Sequence, residues 1–175
     1  WGATLGIIGL GRIGTAVARR ARGFNMRVLY DDPHRHPELE EEIGILHTSF
    51  DNLLKQADFV TVHTPLVPET HHLIDEAAFH RMKPTAILIN AARGEIVDTE
   101  ALVRALDEGW IARAALDVPA PEPLPADHPL VGMPNCIVVP HIGSATVTAR
   151  DRMAEIAAEN LLAGLRGERL PHCAN

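Results

Sequence analysis

Three features of the sequence predict an α/β fold: a doubly wound parallel sheet with helices on both faces. Short apolar runs alternate with amphipathic stretches along the chain, the order that builds strand–helix–strand units. Most of these runs lack polar alternation, which is how strands buried on both faces read. The first run leads straight into GLGRIG, a turn that opens a helix.

In chain order, strands are expected at Thr4 to Leu10, Met26 to Tyr30, Phe59 to Val62, Ala86 to Asn90, Ile111 to Val118 and Cys136 to Val139. Helical patterns lie at Ile13 to Arg22, Asp51 to Gln56, Glu76 to Met82, Glu100 to Glu108 and Thr146 to Leu165. Asp75 supplies a start signal before EAAFHRM, and Gly109 a stop after ALVRALDE. Within the last helix, Met153, Ile156, Ala157 and Leu161 form one stripe, read as core, while Leu162 and Leu165 lie off it and are available to a neighbouring domain or subunit. The stretch from Val118 to Asn135 is so rich in proline that neither a helix nor a central strand is expected there. A long loop inside a compact domain is usually functional or mobile.

Composition limits the function. The chain has 175 residues, of which 46% are hydrophobic, enough for one sizeable core. A net charge of −7 opposes nucleic-acid binding, which needs clustered basic side chains. Arg19, Arg20 and Arg22 read as a solvated helix face. Two cysteines, Cys136 and Cys173, show no metal-type spacing and no disulfide framework, so a reduced, cytoplasmic setting is expected. No apolar run approaches the roughly 18 residues of a membrane span, and no signal-peptide pattern is seen.

Gly9, Gly11 and Gly14 fill the G-x-G-x-x-G template of a Rossmann-type dinucleotide site. The first glycine makes the tight turn, the second admits a pyrophosphate, and the third lets helix pack on strand. The helix N-terminus, at Arg12 and Ile13, then presents unpaired N–H groups and a positive dipole end. Asp31 closes the next strand, where an acidic side chain accepts hydrogen bonds from ribose hydroxyls. Together with Asp32 it would meet a 2′-phosphate with like charge, so NADH is expected to be preferred to NADPH. Arg35 is the nearby group able to turn toward a phosphate.

Ligands of open α/β sheets lie beyond the carboxyl ends of the strands. VHTPLVPET, INAARGE, ALDVPAPEP and VVPHIGS each follow a strand, which brings Arg93, Asp117, Glu122 and His141 to the cofactor edge.

In order, TLGIIGLGRIG, HTPLVPETHHLI, INAARGEIVD, ALDVPAPEPLPADHPL and PHIGSAT resemble the D-isomer-specific 2-hydroxyacid dehydrogenase family, over essentially the whole chain. DHPLVGMPNCIVVPHIGSAT and NLLAGLRGE are most similar to its glyoxylate/hydroxypyruvate reductases, among which NADPH use is frequent. The resemblance implies a catalytic arginine at Arg93, an acid at Glu122 and a histidine at His141. It places the carboxamide-binding aspartate at Asp117 and backbone contacts to the nicotinamide at Pro65, Ala91 and Gly143. With the neighbouring positions of the matched segments, the expected NAD(P)-binding set also takes in His63, Thr64, Thr70, Ala92, Arg93 and His141. It further implies that residues 1–145 form the dinucleotide-binding domain. Residues 146–175 would be a helix and tail returning toward a substrate domain whose N-terminal part lies outside this chain. Such a chain would bind dinucleotide, turn over little substrate alone, and belong to a homodimer.

The chemistry asks for the same residue types. Reducing a 2-oxoacid delivers a hydride to the carbonyl carbon and a proton to its oxygen, and histidine, with a reference pKa of about 6.5, suits the proton. A carboxylate on the far ring nitrogen fixes the tautomer and favours the charged form, the role given to Glu122. Arg93 offers a planar fork for a carboxylate. The other class of function open to the sequence is a dinucleotide-sensing, corepressor-like binding protein without turnover. No metal site is expected: His71 and His72 are adjacent and diverge on any regular element, and His34 and His36 lack companion ligands. His63 could line the cofactor pocket or simply pack.

Overall fold

The computed structural model of the chain describes residues 2–173. It divides into two compact units, one ending at Pro140 and the other beginning at His141.

The first unit is built on a sheet of seven strands. They are β1 (Thr4–Ile8), β2 (Arg27–Asp31), β3 (Leu46–His47), β4 (Phe59–Val62), β5 (Ile87–Asn90), β6 (Arg113–Leu116) and β7 (Cys136–Val138). Their order is β3-β2-β1-β4-β5-β6-β7 and every pairing is parallel. The order reverses between β1 and β4, which opens a crevice at the carboxyl ends of those two strands. The helices are α1 (Arg12–Ala21), α2 (Pro37–Ile43), α3 (Phe50–Gln56), α4 (Glu76–Arg81), α5 (Thr99–Asp107) and α6 (Pro129–Gly132).

Side chains alternate across the strands, and each face carries its own core. Leu5, Ile7, Val28 and Tyr30 join Ala18 and Ala21 of α1 and Ile43 of α2. Ile8, Leu29, Val60 and Leu88 join Leu53 and Leu54 of α3, Phe79 of α4, and Leu102 and Leu106 of α5. α3 comes close to β1 because Gly6 has no side chain: a Cβ there would lie 2.5 Å from Leu53 Cδ2.

Asp75 caps α4 by accepting the Ala78 N–H at 2.8 Å, and Gly109 follows α5 with a φ of +73°. The sequence reading misses α2 and β3. β3 has two residues, too few to show a period, and the acidic run of α2 gives only a narrow apolar stripe, Leu39 and Ile43.

Three expectations are corrected. The proline-rich stretch does contain a helical turn, α6, because Pro129 stands at its first position, where no amide is needed. The Nδ1 of His128 accepts the Leu130 N–H at its start. His71 and His72 do not diverge: His72 has a left-handed φ of +52°, and their rings stack with centroids 4.0 Å apart. In the second unit, α7 (Val147–Leu165) does not bury the stripe read as core, since Met153 is 55% and Leu161 63% exposed.

α2 is tied to the sheet by a polar cluster. The hydroxyl of buried Tyr30 accepts the His36 N–H at 2.8 Å and donates to Glu40 Oε1 at 2.8 Å. Arg35 grips the same carboxylate through Nε and Nη2, at 2.9 and 2.8 Å. The Arg35 hydrogen bonds hold the Glu40 carboxyl at about 2, against burial, which pushes it up from its ordinary 4.5.

These contacts make two predictions. Gly6→Ala should destabilise by about 1–3 kcal/mol through overpacking, and Leu53→Ala by about 2–5 kcal/mol through a cavity. The double variant should lose less than the sum, since the new methyl enters the vacated space; urea midpoints at matched slopes check this. A carboxylate depressed on folding contributes stability above its unfolded value, and that contribution is lost as pH falls through the folded one. Glu40 therefore contributes fully above about pH 4.5 and progressively less toward about pH 2. Thermal midpoints across that window should fall more steeply for the parent than for Glu40→Gln.

Candidate active site

β1 ends in a left-handed turn at Gly9, φ +89°, where a Cβ would lie 2.7 Å from the Thr64 amide nitrogen. Any side chain at Gly14 would collide with the Gly9 carbonyl oxygen, so the first turn of α1 lies directly on the loop. At Gly11, by contrast, a Cβ would meet nothing within 4 Å. That open space fronts the N-terminus of α1, which has no side-chain cap and no acidic residue in its first turn. The unpaired N–H groups of Arg12 and Ile13 thus face solvent, as an anion-binding helix end requires. Glycine loop and helix end fit the diphosphate of a dinucleotide.

Beside this loop stand two aspartates. The carboxyl of Asp31 is raised above the usual carboxylate range by burial and by neighbouring Asp32, against the lowering influence of His47 and of the Phe50 amide. Asp32 Oδ2 accepts the Leu10 N–H at 2.7 Å, inside the glycine loop itself. Its Oδ1 accepts the His34 N–H at 2.9 Å and lies 3.9 Å from the His36 ring. Asp31, the acid expected from the sequence to meet the ribose, thus stands beside a second acid that is bonded to the glycine loop.

A cleft of about 420 Å³ adjoins the loop, lined by Ile13, by residues 63–66 and by residues 91–93. It brings together the expected positions His63, Thr64, Pro65, Ala91, Ala92 and Arg93. The His63 N–H donates to Ile8 O at 2.7 Å, while Nε2 lies 3.0 Å from Thr61 Oγ1. Burial lowers its imidazole below the usual histidine value, favouring the neutral ring. Thr70 is not among the lining residues: its hydroxyl accepts the Val67 N–H at 2.9 Å and lies 2.6 Å from Pro65 O, so it braces the loop.

The Arg93 turn is held from below by Asn90, which the sequence reading did not select. Fully buried, Asn90 donates from Nδ2 to Arg93 O at 2.8 Å and accepts the Ala92 N–H at Oδ1. An asparagine ending the apolar run AILIN was the available signal. Next in chain, a Cβ at Gly94 would collide with Pro119 O, so the segment after β6 lies hard against this turn. Thr99 Oγ1 donates to Ala120 O at 2.8 Å and fastens it further. Asp117 begins that segment, half-buried, and Glu122 stands exposed within it. The Arg93 guanidinium is exposed, with Nη1 2.6 Å from Ala92 O.

His141 and Gly143 belong to the second unit. His141 opens it in the left-handed region, φ +52°, a conformation uncommon for a residue with a side chain and worth a functional question. Both are exposed, ahead of α7, whose Thr146 cap accepts the Ala149 N–H at 3.1 Å. Among the described residues, no group of three or more His, Cys, Asp or Glu side chains is placed to hold a metal. No described helix is long and apolar enough to cross a membrane.

Residues 1–143 match the family model of the D-isomer specific 2-hydroxyacid dehydrogenase NAD binding domain. A glyoxylate reductase of Korarchaeum cryptofilum is 52% identical over 175 residues, which are 100% of this chain and 53% of that protein. The TT0316 protein of Thermus thermophilus superposes with a TM-score of 0.92 at 52% identity, over 99% of this chain and 54% of that one. D-lactate dehydrogenase of Lactobacillus jensenii, solved with NAD+, gives a TM-score of 0.88 at 40% identity, over 99% and 56%. The chain thus spans about half the length of the relatives it matches. With its glycine loop, its open helix end and this match over most of its length, the chain belongs to the NAD-binding domain family of the D-isomer specific 2-hydroxyacid dehydrogenases.

Proposed function

We propose that the complete protein reduces a small 2-oxoacid, glyoxylate or hydroxypyruvate, to the 2-hydroxyacid. The observation that carries this reading is the cleft: Ile13 from the cofactor helix, residues 63–66 and the Arg93 turn share one cavity beside the glycine loop. Relatives named glyoxylate reductase support the substrate class.

Bound NADH, or NADPH, supplies the hydride. Arg93 would receive the substrate carboxylate as a bidentate partner and polarise the adjacent carbonyl. Its turn is rigid because both polar atoms of the Asn90 amide are spent on it. His141 would donate a proton to the carbonyl oxygen, with Glu122 positioning the ring and favouring its charged form. Asp117, Gly143, Pro65 and Ala91 would meet the nicotinamide end. At the other end, Asp32 takes the ribose in preference to Asp31, since its carboxylate already touches the glycine loop. A two-domain protein, in which a substrate domain supplies the other wall of the cleft, accords with relatives about twice as long. Two free thiols, Cys136 and Cys173, and exposed Leu161, Leu162 and Leu165 on α7 accord with a cytoplasmic homodimer.

Steady NADH oxidation with glyoxylate by the complete protein tests the reading, and tight NADH binding without turnover would overturn it. His141→Ala should lower kcat by about two to four orders of magnitude while leaving NADH affinity nearly intact. Glu122→Gln should cost less, because it acts through the imidazole. Fluorescence titration should show NADH bound more tightly than NADPH, and weakened more by Asp32→Asn than by Asp31→Asn.

A further inference from the structure

Resting on the reading that the edge at Asp32 takes the adenosine ribose, the charges around that edge assign a role to Glu40. A 2′-phosphate bound there would need a cation, because Asp31 and Asp32 both stand at the end of β2. The loop from Asp32 to α2 contains one guanidinium, Arg35. Arginine is the side chain best shaped to hold a phosphate, through two parallel N–H donors. In this structure the Nε–Nη2 edge of Arg35 is engaged, at 2.9 and 2.8 Å from the two oxygens of Glu40, which draws the charge of the exposed guanidinium toward α2 while its Nη1 N–H groups lie outside this pair.

Exposed ion pairs usually exchange freely and contribute little. This one has a third member that fixes it. Tyr30, fully buried on β2, donates its hydroxyl to Glu40 Oε1 at 2.8 Å and accepts the His36 N–H at 2.8 Å. The carboxylate is therefore held from the sheet, and its side chain is only 17% exposed. The other cation candidates of this loop, His34 and His36, face Asp32, at 3.8 and 3.9 Å, and His47 of β3 packs against the Tyr30 ring, with centroids 5.1 Å apart.

We propose that Glu40 is a specificity-determining residue: anchored by Tyr30, it sequesters Arg35 and so keeps the ribose edge hostile to a 2′-phosphate. Cofactor choice then depends on a residue one helix turn away from the ribose loop, as well as on the aspartates that face it. Glu40→Gln keeps the shape and the Tyr30 hydrogen bond but removes the charge that grips the guanidinium.

Intrinsic fluorescence titrations of NADH and NADPH against the 175-residue chain test this. Glu40→Gln should tighten NADPH binding by about tenfold, the size of one charge-assisted hydrogen bond. NADH affinity should stay within about twofold, which also reports an intact site. Adding Arg35→Ala should abolish the gain, and Arg35→Ala alone should leave NADPH affinity unchanged. The proposal is overturned if NADPH affinity does not rise in Glu40→Gln, or if the gain survives Arg35→Ala. It is equally overturned if Arg35→Ala alone weakens NADPH binding, because the guanidinium would then already be available. Failure of the parent chain to bind either dinucleotide would instead overturn the reading on which the proposal rests.

Discussion

At Gly9 three pieces of backbone share a space that no side chain can enter. The turn itself is left-handed, the first helix presses its Gly14 against the Gly9 carbonyl, and the strand-end loop at Thr64 crosses on the other side. Gly9 N–H donates to Asp31 O and His63 N–H to Ile8 O, so the same point also joins β1 to β2 and β4. Everything proposed for the cofactor edge inherits its geometry from this close approach. It sets where the α1 N-terminus points, how far Ile13 lies from the 63–66 loop, and which face of the Asp32 carboxylate meets the Leu10 amide. Glycine loses more conformational freedom on folding than any other residue. Its concentration in GLGRIG is a local sacrifice of stability that the flanking cores offset.

A second constraint operates at the other strand ends. A parallel strand stops with its last amides and carbonyls facing a crevice, and buried groups of that kind must find partners. Here the partners are side chains that do no chemistry themselves. Asn90 satisfies the Arg93 turn, Thr70 braces Pro65 and Thr99 holds Ala120. Among the described residues, no buried side-chain nitrogen or oxygen lacks a partner. Loops satisfied in this way are stiff, and stiffness is what a site needs if it is to hold a reacting carbonyl within reach of a hydride.

The strands and the glycine loop were legible in the sequence because both are local: apolar runs without alternation, and three glycines at fixed spacing. Phe59–Val62 has the limits expected from the sequence, and the other long strands differ from theirs by one or two residues at one or both ends. What was not legible depends on contacts between segments far apart in the chain. That Asp32 accepts the Leu10 amide, 22 positions earlier, is one such contact. Asn90 reads as the polar end of a strand until its two partners are seen. The α7 stripe illustrates the opposite failure, since a 3.6-residue period indicates a face but not what covers it, and Met153 and Leu161 remain exposed in this chain.

The polarity of the edge carries one further consequence. At its centre, unpaired helix N–H groups offer partial positive charge to an anion. At one side, Asp31 and Asp32 offer negative charge, held in place by backbone donors. On the other side lies the cleft walled by Ile13, residues 63–66 and residues 91–93, in which burial favours the neutral ring of His63. A dinucleotide with its diphosphate at the centre therefore meets two unlike ends. Ribose hydroxyls can donate to carboxylates, whereas a flat nicotinamide ring can lie against the apolar part of the wall, at Ile13, Pro65, Ala91 and Ala92.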